Sequence, residues 1–243
     1  MRVGVYVDGF NLYYGARGLC GKGTPGWRWL NLRGLAARLI DQHSGWGTEL
    51  ALRVTYCTAR IKGSGADRGR QNQEIYLRAL THGGFVDHVE FGKYVERIAR
   101  TPLALEDSKG RPVLVRPEWP IRIQDSLKSH VDDALFMASV IRREEKGSDV
   151  NVAAHLLLDV LQNRVDAAVV VSNDSDLRLA IKEVRQRVST GLVNPTSKPV
   201  AGDLRINECE GSGLHWQAAL SAEDLYHSQM PPTVGRIHRP HHW

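Results

Sequence analysis

Continuous apolar runs alternate with segments of helical periodicity along most of the chain. The runs at residues 2–7, 50–58 and 169–171 predict strands, and the continuous apolar run at 169–171 suits a strand buried on both faces. Residues 30–40 and 149–162 instead carry apolar side chains at helical spacing. Strands that alternate with helices predict a parallel sheet covered by helices on both sides. The expected fold class is therefore α/β, a three-layer α/β/α arrangement with a central parallel, Rossmann-like sheet.

Weaker patterns predict the remaining elements and the division of the chain. They are helices at 72–81, 177–188 and 216–226, strands at 85–91 and 190–193, and glycine-rich loops at 15–26 and 60–70. Residues 131–143 fit either a helix or a strand. We expect one domain over 1–195, with an irregular, basic insertion at about 92–130 where prolines break the pattern. An extension at 196–232 would pack on that domain, and 233–243 would form a disordered tail.

The composition is that of a soluble globular protein, with 243 residues, 42% hydrophobic and 24% charged. No apolar stretch is long enough to span a membrane, and Met1 leads directly into strand-like sequence rather than a signal peptide. The cysteines Cys20, Cys57 and Cys209 have no metal-ligand spacing, so reduced thiols in the cytoplasm are the simplest interpretation. A net charge of +5 mildly favours a polyanionic partner.

A polar cluster follows the apolar run at 169–171, in the sequence VVVSNDSD. Asp174 and Asp176 lie there with Ser172, at the carboxyl end of the predicted strand, where open α/β sheets place their ligands. Carboxylates and hydroxyls are donors for a hard cation. The alternative is that these residues only cap the helix that follows, and a single cap would account for one of the two aspartates.

Two further aspartates have comparable positions. Asp8 ends the first strand in VDGFN, and Asp149 begins a helix in EEKGSDVN, where it would also serve as an ordinary first-turn acid. Neighbouring parallel strands would bring Asp8 and Asp174 together. Carboxylates that close repel one another, and a divalent cation relieves the repulsion. Oxygen ligands suit Mg²⁺ or Mn²⁺ better than zinc, and such sites support phosphoryl transfer or phosphodiester hydrolysis.

Together, VDGFN, EEKGSDVN and SNDSD resemble the NYN domain group of the PIN-like nucleases, over residues 5 to about 195. The resemblance implies a PIN-like parallel sheet, an acidic Mg²⁺ or Mn²⁺ centre and RNA as the substrate. It also implies that Asp8, Asp149, Asp174 and Asp176 bind the metal, that Asn11 orients a metal-bound water or a phosphate, and that Ser172 supports the site by a hydrogen bond. The chain departs from the pattern at Asn173, where many relatives have glycine, and at His155, where many have a further aspartate. His155 could still line the cleft, although a neutral histidine or one on a helix face is the commoner outcome.

Basic and aromatic residues near the predicted cleft could contact a nucleic acid. Arg60, Lys62, Arg68 and Arg70 follow the second strand and could neutralise phosphates, although a solvated loop is at least as good an interpretation. Tyr13 could stack on the bases of a single strand or cover the edge of the sheet.

The sequence therefore predicts a metal-dependent ribonuclease that hydrolyses single-stranded RNA in the cytoplasm. An RNA-binding or regulatory module of the same fold with little turnover is the alternative. A phosphatase with an aspartyl nucleophile is disfavoured, because Phe10 stands where its general acid would be. A homodimer formed through the irregular insertion is a further hypothesis.

Overall fold

A computed structural model describes residues 1–61, 68–109, 111–115, 124–129, 131, 136–205 and 211–243. The strands are β1 (Arg2–Asp8), β2 (Ala51–Ala59), β3 (His88–Pro102), β4 (Ala104–Glu106), β5 (Pro112–Leu114), β6 (Met137–Lys146), β7 (Ala167–Val171), β8 (Ser189–Asn194), β9 (Trp216–Ala219), β10 (Thr233–Val234) and β11 (Ile237–His238). The helices are α1 (Gly9–Cys20), α2 (Leu32–His43), α3 (Arg68–His82), α4 (Ser148–Leu161), α5 (Arg178–Arg185) and α6 (Ala222–His227).

Seven strands form the main sheet in the order β6-β3-β2-β1-β7-β8-β9. The pairs from β3 through β9 are all parallel, so the carboxyl ends of these strands meet at one edge. Strands β1 and β7 lie at the centre and are neighbours, which places the residues after Val7 beside those after Val171. The order also reverses between these two strands, and open α/β sheets bind ligands at such a point.

Each face of the sheet is covered by its own apolar cluster. Side chains of α1, α2, α3 and α6 pack on the face that carries Val3, Val5 and Val7. Side chains of α4 and α5 pack on the opposite face, which carries Tyr6 and Cys57. The three-layer α/β/α prediction is therefore confirmed. It follows from the period-2 alternation of β1, whose odd and even residues both meet helices.

Residues 21–26 of the glycine-rich segment form the predicted loop, but residues 15–20 do not, because α1 continues to Cys20. The glycine at 15 serves close packing instead. A Cβ at Gly15 would lie 2.2 Å from the carbonyl oxygen of Pro195, so only glycine lets the helix approach that turn. The side chain of Asp8 accepts a hydrogen bond from the N–H of Asn11 and caps the helix.

The C-terminal part of the chain differs most from the prediction. Residues 216–219 form β9 rather than a helix, with Trp216 and Ala218 buried in alternation, because pairing with β8 outweighs local propensity. The predicted disordered tail contains the β10–β11 hairpin. The Trp243 ring lies 6.4 Å from that of Trp29 and 5.6 Å from that of Tyr76, so the tail packs on the core.

The chain divides into two compact units, of which the second is Val95–Glu144. Within it, β4 and β5 form an antiparallel hairpin, and Glu144 forms ion pairs with Arg97 and Arg142. Of the segment left open between helix and strand, residues 137–143 belong to the strand β6.

Candidate functional site

Asp8 is the most buried of the predicted site carboxylates. It ends β1, is 2% exposed, and accepts hydrogen bonds at 3.0 Å from the Ser172 hydroxyl and from the N–H of Asn11. Ser172 directly follows β7, so the pairing of the two strands brings these groups together. The hydrogen bond predicted for Ser172 is therefore present, and its partner is the β1 aspartate.

The residues after Ser172 are fastened to the same edge by local hydrogen bonds. The N–H of Asp174 donates to Ser172 Oγ, and Asp174 Oδ1 accepts from the N–H of Asp176 at 3.0 Å. Asp174 thus caps a short 3₁₀ turn, Ser175–Leu177, as the capping alternative anticipated. The Asn11 side-chain oxygen accepts from the N–H of Asn173, so that oxygen joins the β1 and β7 ends.

The first turn of α4 brings Asp149 to the same edge of the sheet. The helix begins after Gly147, whose φ of 93° is a left-handed conformation that favours glycine, and the Ser148 N–H donates to Glu145 Oε1. Glu145 also contributes charge here and was missed, although it lies within the EEKGSDVN motif. The end of β6 and the start of α4 thus add two acids to those of β1 and β7.

Mutual repulsion and burial perturb these carboxyls. Burial raises the pKa of Asp8 to about 6, with smaller upward contributions from Asp174 and Glu145, while its two hydrogen bonds lower it. Burial likewise raises the pKa of Asp149 to about 7, and the charges of Asp8, Asp174, Glu145 and Asp176 raise it further. The predicted carboxylates therefore share one electrostatic cluster, which we call the carboxylate cluster: Asp8, Glu145, Asp149, Asp174 and Asp176.

A second donor group, which was not predicted from the sequence, lies on the same face of the sheet. It consists of His88 and Glu90 of β3 and His155 of α4, whose ligand atoms all lie within 4.8 Å of one another. Within the described part of the chain, the predicted aspartates form no set of three donors this compact. Two imidazoles and a carboxylate could hold a transition metal. We call these residues the His–Glu–His group.

A cavity of about 580 Å³ opens on the other face of the sheet, beside α1 and α3. Arg17, Lys22 and Arg28 line it, and no acidic residue does among those described. The Arg28 guanidinium lies 4.3 Å from the ring centre of Trp27. The aromatic residues of the lining are Phe10, Tyr13, Tyr14, Trp27, Tyr56, Tyr76, Tyr94 and Trp243. A flat ring with an anionic substituent matches such walls.

The residues predicted to contact substrate are not gathered at one place. Tyr13 lines the cavity and its ring lies 5.6 Å from that of Trp27. Arg60 is paired with Glu74 at 2.7 Å and stacks on Phe91, while Arg68 and Arg70 are exposed in the first turn of α3. Lys62 lies outside the described residues.

Comparison with known proteins identifies a relative. 6-Hydroxy-3-succinoylpyridine 3-monooxygenase HspA from Pseudomonas putida is 31% identical over 251 aligned residues, which cover 96% of this chain and 72% of that protein. The chain belongs to the HspA family. No family model matches it. A crystal structure of a protein of unknown function from Vibrio parahaemolyticus aligns with 92% of this chain and 94% of that chain, at 14% identity and a TM-score of 0.44.

The relative corrects the predicted function. Homology indicates that the chain is an enzyme, but HspA is named as a monooxygenase, so the ribonuclease prediction and the alternative of a module with little turnover are wrong. The nuclease prediction came from motifs that place carboxylates at strand ends and at the start of a helix. The position of such carboxylates does not by itself determine which reaction a site catalyses.

Other predictions remain predictions. They are the PIN-like NYN resemblance, Mg²⁺ or Mn²⁺ at Asp8, Asp149, Asp174 and Asp176, RNA as a partner, a homodimer and a cytoplasmic location. In the part of the chain that the structure describes, no helix combines the length and the apolar character needed to cross a membrane.

Proposed function

We propose that the protein is a monooxygenase that hydroxylates a small, anionic aromatic ring. The observation that carries this proposal is the 31% identity to HspA over 96% of the chain. The name of that relative describes a hydroxypyridine ring with a succinoyl side chain. The ring is flat, and the side chain is anionic. We infer a substrate of the same class, a hydroxylated nitrogen heterocycle that bears a carboxylate.

The cavity supports a substrate of this kind. Its aromatic walls offer stacking surfaces for a planar ring, and the cationic edge formed by Arg17, Lys22 and Arg28 offers partners for a carboxylate. The Arg28 guanidinium donates to the carbonyl oxygens of Thr24 and Lys22, which holds it in place over the Trp27 ring. Because the Arg28 guanidinium is held in place before binding, a ligand loses less free energy to ordering it.

The reaction requires more than the cavity provides. A monooxygenase transfers one atom of O₂ to the substrate and reduces the other to water, which consumes two electrons and two protons from an added reductant. A redox cofactor must activate O₂. The protein therefore needs an O₂-activating cofactor in addition to its substrate pocket.

Isotope incorporation tests the proposal directly. We would incubate the protein with 6-hydroxy-3-succinoylpyridine under ¹⁸O₂, with reduced nicotinamide, reduced flavin or ascorbate as the electron donor and with or without Fe²⁺. Mass spectrometry should detect a product that carries one ¹⁸O atom. The absence of an oxygenated product with every donor, or a product whose new oxygen comes from water, would defeat the proposal.

Variants of the cationic edge test the pocket. Arg17→Ala and Lys22→Ala should each raise KM for the anionic substrate by roughly 5- to 20-fold, as expected for a charge-assisted contact of about 1–2 kcal/mol. Lys182→Ala, in the exposed face of α5, is the matched control and should leave KM unchanged. Equal KM values in all four proteins would place the substrate elsewhere.

A further inference from the structure

The His–Glu–His group is assembled by two regular elements. His88 and Glu90 are two residues apart on β3, so the pleat places both side chains on one face. Their register partners on β2 are Thr55 and Cys57. Cys57 is buried under α4, the helix that presents His155. The three donors are therefore held by the packing of α4 on the sheet rather than by a loop.

The distances fit a shared ligand sphere. Glu90 Oε2 lies 3.0 Å from His88 Nε2 and 3.2 Å from His155 Nε2. Donors bound about 2.1 Å from one ion lie about 3.0 Å apart at a right angle and about 3.4 Å apart at the tetrahedral angle. The carboxylate is thus already at ligand-to-ligand distance from both imidazoles.

The donor chemistry selects the class of ion. Imidazole nitrogen suits Fe²⁺, Zn²⁺ and Cu²⁺, whereas Mg²⁺ and Ca²⁺ prefer oxygen donors alone. The side chains of His88, Glu90 and His155 are 44%, 38% and 24% exposed, so an ion could reach them and keep open coordination positions.

We propose that His88, Glu90 and His155 bind one divalent transition-metal ion. The binding of a metal stands on the geometry of these side chains. The substrate cavity lies beside α1 and α3 on the opposite face of the sheet, so we assign this metal no part in the oxygen transfer.

Cobalt binding tests the site without reference to activity. Tag-free protein, stripped with a chelator, would be titrated with Co²⁺ in the presence of millimolar Mg²⁺ and followed by visible d–d absorption and calorimetry. One Co²⁺ per chain should bind. His88→Ala, Glu90→Gln and His155→Ala should each weaken its affinity at least about tenfold, because each removes a ligand. Circular dichroism and thermal melts would confirm that each variant is folded.

Control variants separate this site from other donors. Asp174→Asn in the carboxylate cluster, the double variant His241→Ala/His242→Ala in the tail, and His227→Ala on α6 should all retain the parent spectrum and affinity. A titration without stoichiometric Co²⁺ binding would overturn the proposal, as would folded His88→Ala, Glu90→Gln and His155→Ala proteins that bind Co²⁺ like the parent. In that case the three residues form only a hydrogen-bonded triad. If Co²⁺ binds as expected but no ¹⁸O is incorporated, the metal site stands and the monooxygenase proposal fails.

Discussion

Replacing Asp149 with asparagine should stabilise the metal-free protein at neutral and alkaline pH. The pKa of Asp149 is raised from 3.8 to about 7, first by burial and then by the charges of Asp8, Asp174, Glu145 and Asp176. A carboxyl whose pKa is higher in the folded state binds its proton more tightly there. Its contribution to stability is therefore complete below the unfolded pKa of about 3.9 and is lost as the pH rises through about 7.

The expected magnitude follows from the shift. About three pKa units at roughly 1.4 kcal/mol each correspond to about 4 kcal/mol of lost stability at pH 8. The side chain is partly accessible to water, which screens the repulsion. A carboxylate in the first turn of α4 also gains about 0.3–1 kcal/mol from the helix dipole, which asparagine forfeits. We therefore expect Asp149→Asn to gain roughly 1–2 kcal/mol at pH 8 and almost nothing at pH 4.

Urea denaturation in a chelating buffer at pH 4, 6 and 8 measures this difference. Asp41→Asn, an exposed acid in α2, is the matched control and should change stability by less than about 0.5 kcal/mol at each pH. A loss of stability in Asp149→Asn at pH 8, or an equal gain at pH 4, would refute the electrostatic account of the cluster.

Three further predictions concern the frame of the site. Asp159→Ala should lower the free energy of unfolding, measured by urea denaturation, by about 2–4 kcal/mol, because the buried Tyr6 hydroxyl loses its hydrogen-bond acceptor and the ion pairs with Arg53 and Arg164 are broken. Asp203→Ala, at an exposed position, is the control. Gly147→Ala should cost roughly 1–2 kcal/mol because of its φ of 93°, whereas Gly23→Ala, with open space around its Cβ position, should not. If the carboxylate cluster binds Mn²⁺ as predicted, saturating Mn²⁺ should raise the melting temperature of the parent by several degrees and that of Asp174→Asn by less, and equal shifts would contradict that ligand role.

Local patterns predicted much of the sheet and part of the carboxylate cluster. The strands β1 and β7 could be predicted from their β-branched runs, because both faces of these strands are buried. Asp8 and Ser172 could then be predicted to lie close together, because residues at the carboxyl ends of two adjacent parallel strands lie at the same edge of the sheet. The strand β9 could not be predicted from the local sequence, because Trp216–Ala219 becomes a strand only by pairing with β8.

The His–Glu–His group shows a different limit. The alternation of β3 places His88 and Glu90 on one face, and that much could be read from the sequence. Their meeting with His155 depends on which strands α4 covers, and helical periodicity does not specify this. His155 therefore looked like an ordinary helix-face histidine, although it contacts Glu90 at 3.2 Å.

Cys57 connects the two donor groups electrostatically. It pairs in register with Asp8 on one side and Glu90 on the other, and burial together with the charges of Asp8, Glu90 and Asp149 raises the pKa of its thiol to about 12. The carboxylate cluster and the His–Glu–His group thus flank one buried, protonated thiol. A cation held by Glu90 and the imidazoles would therefore ease the ionisation of Asp149 without touching it. It follows that a metal-induced loss of the pH dependence at Asp149 does not by itself locate the metal. The Co²⁺ spectra of the His88 and His155 variants are needed to decide which donors hold it.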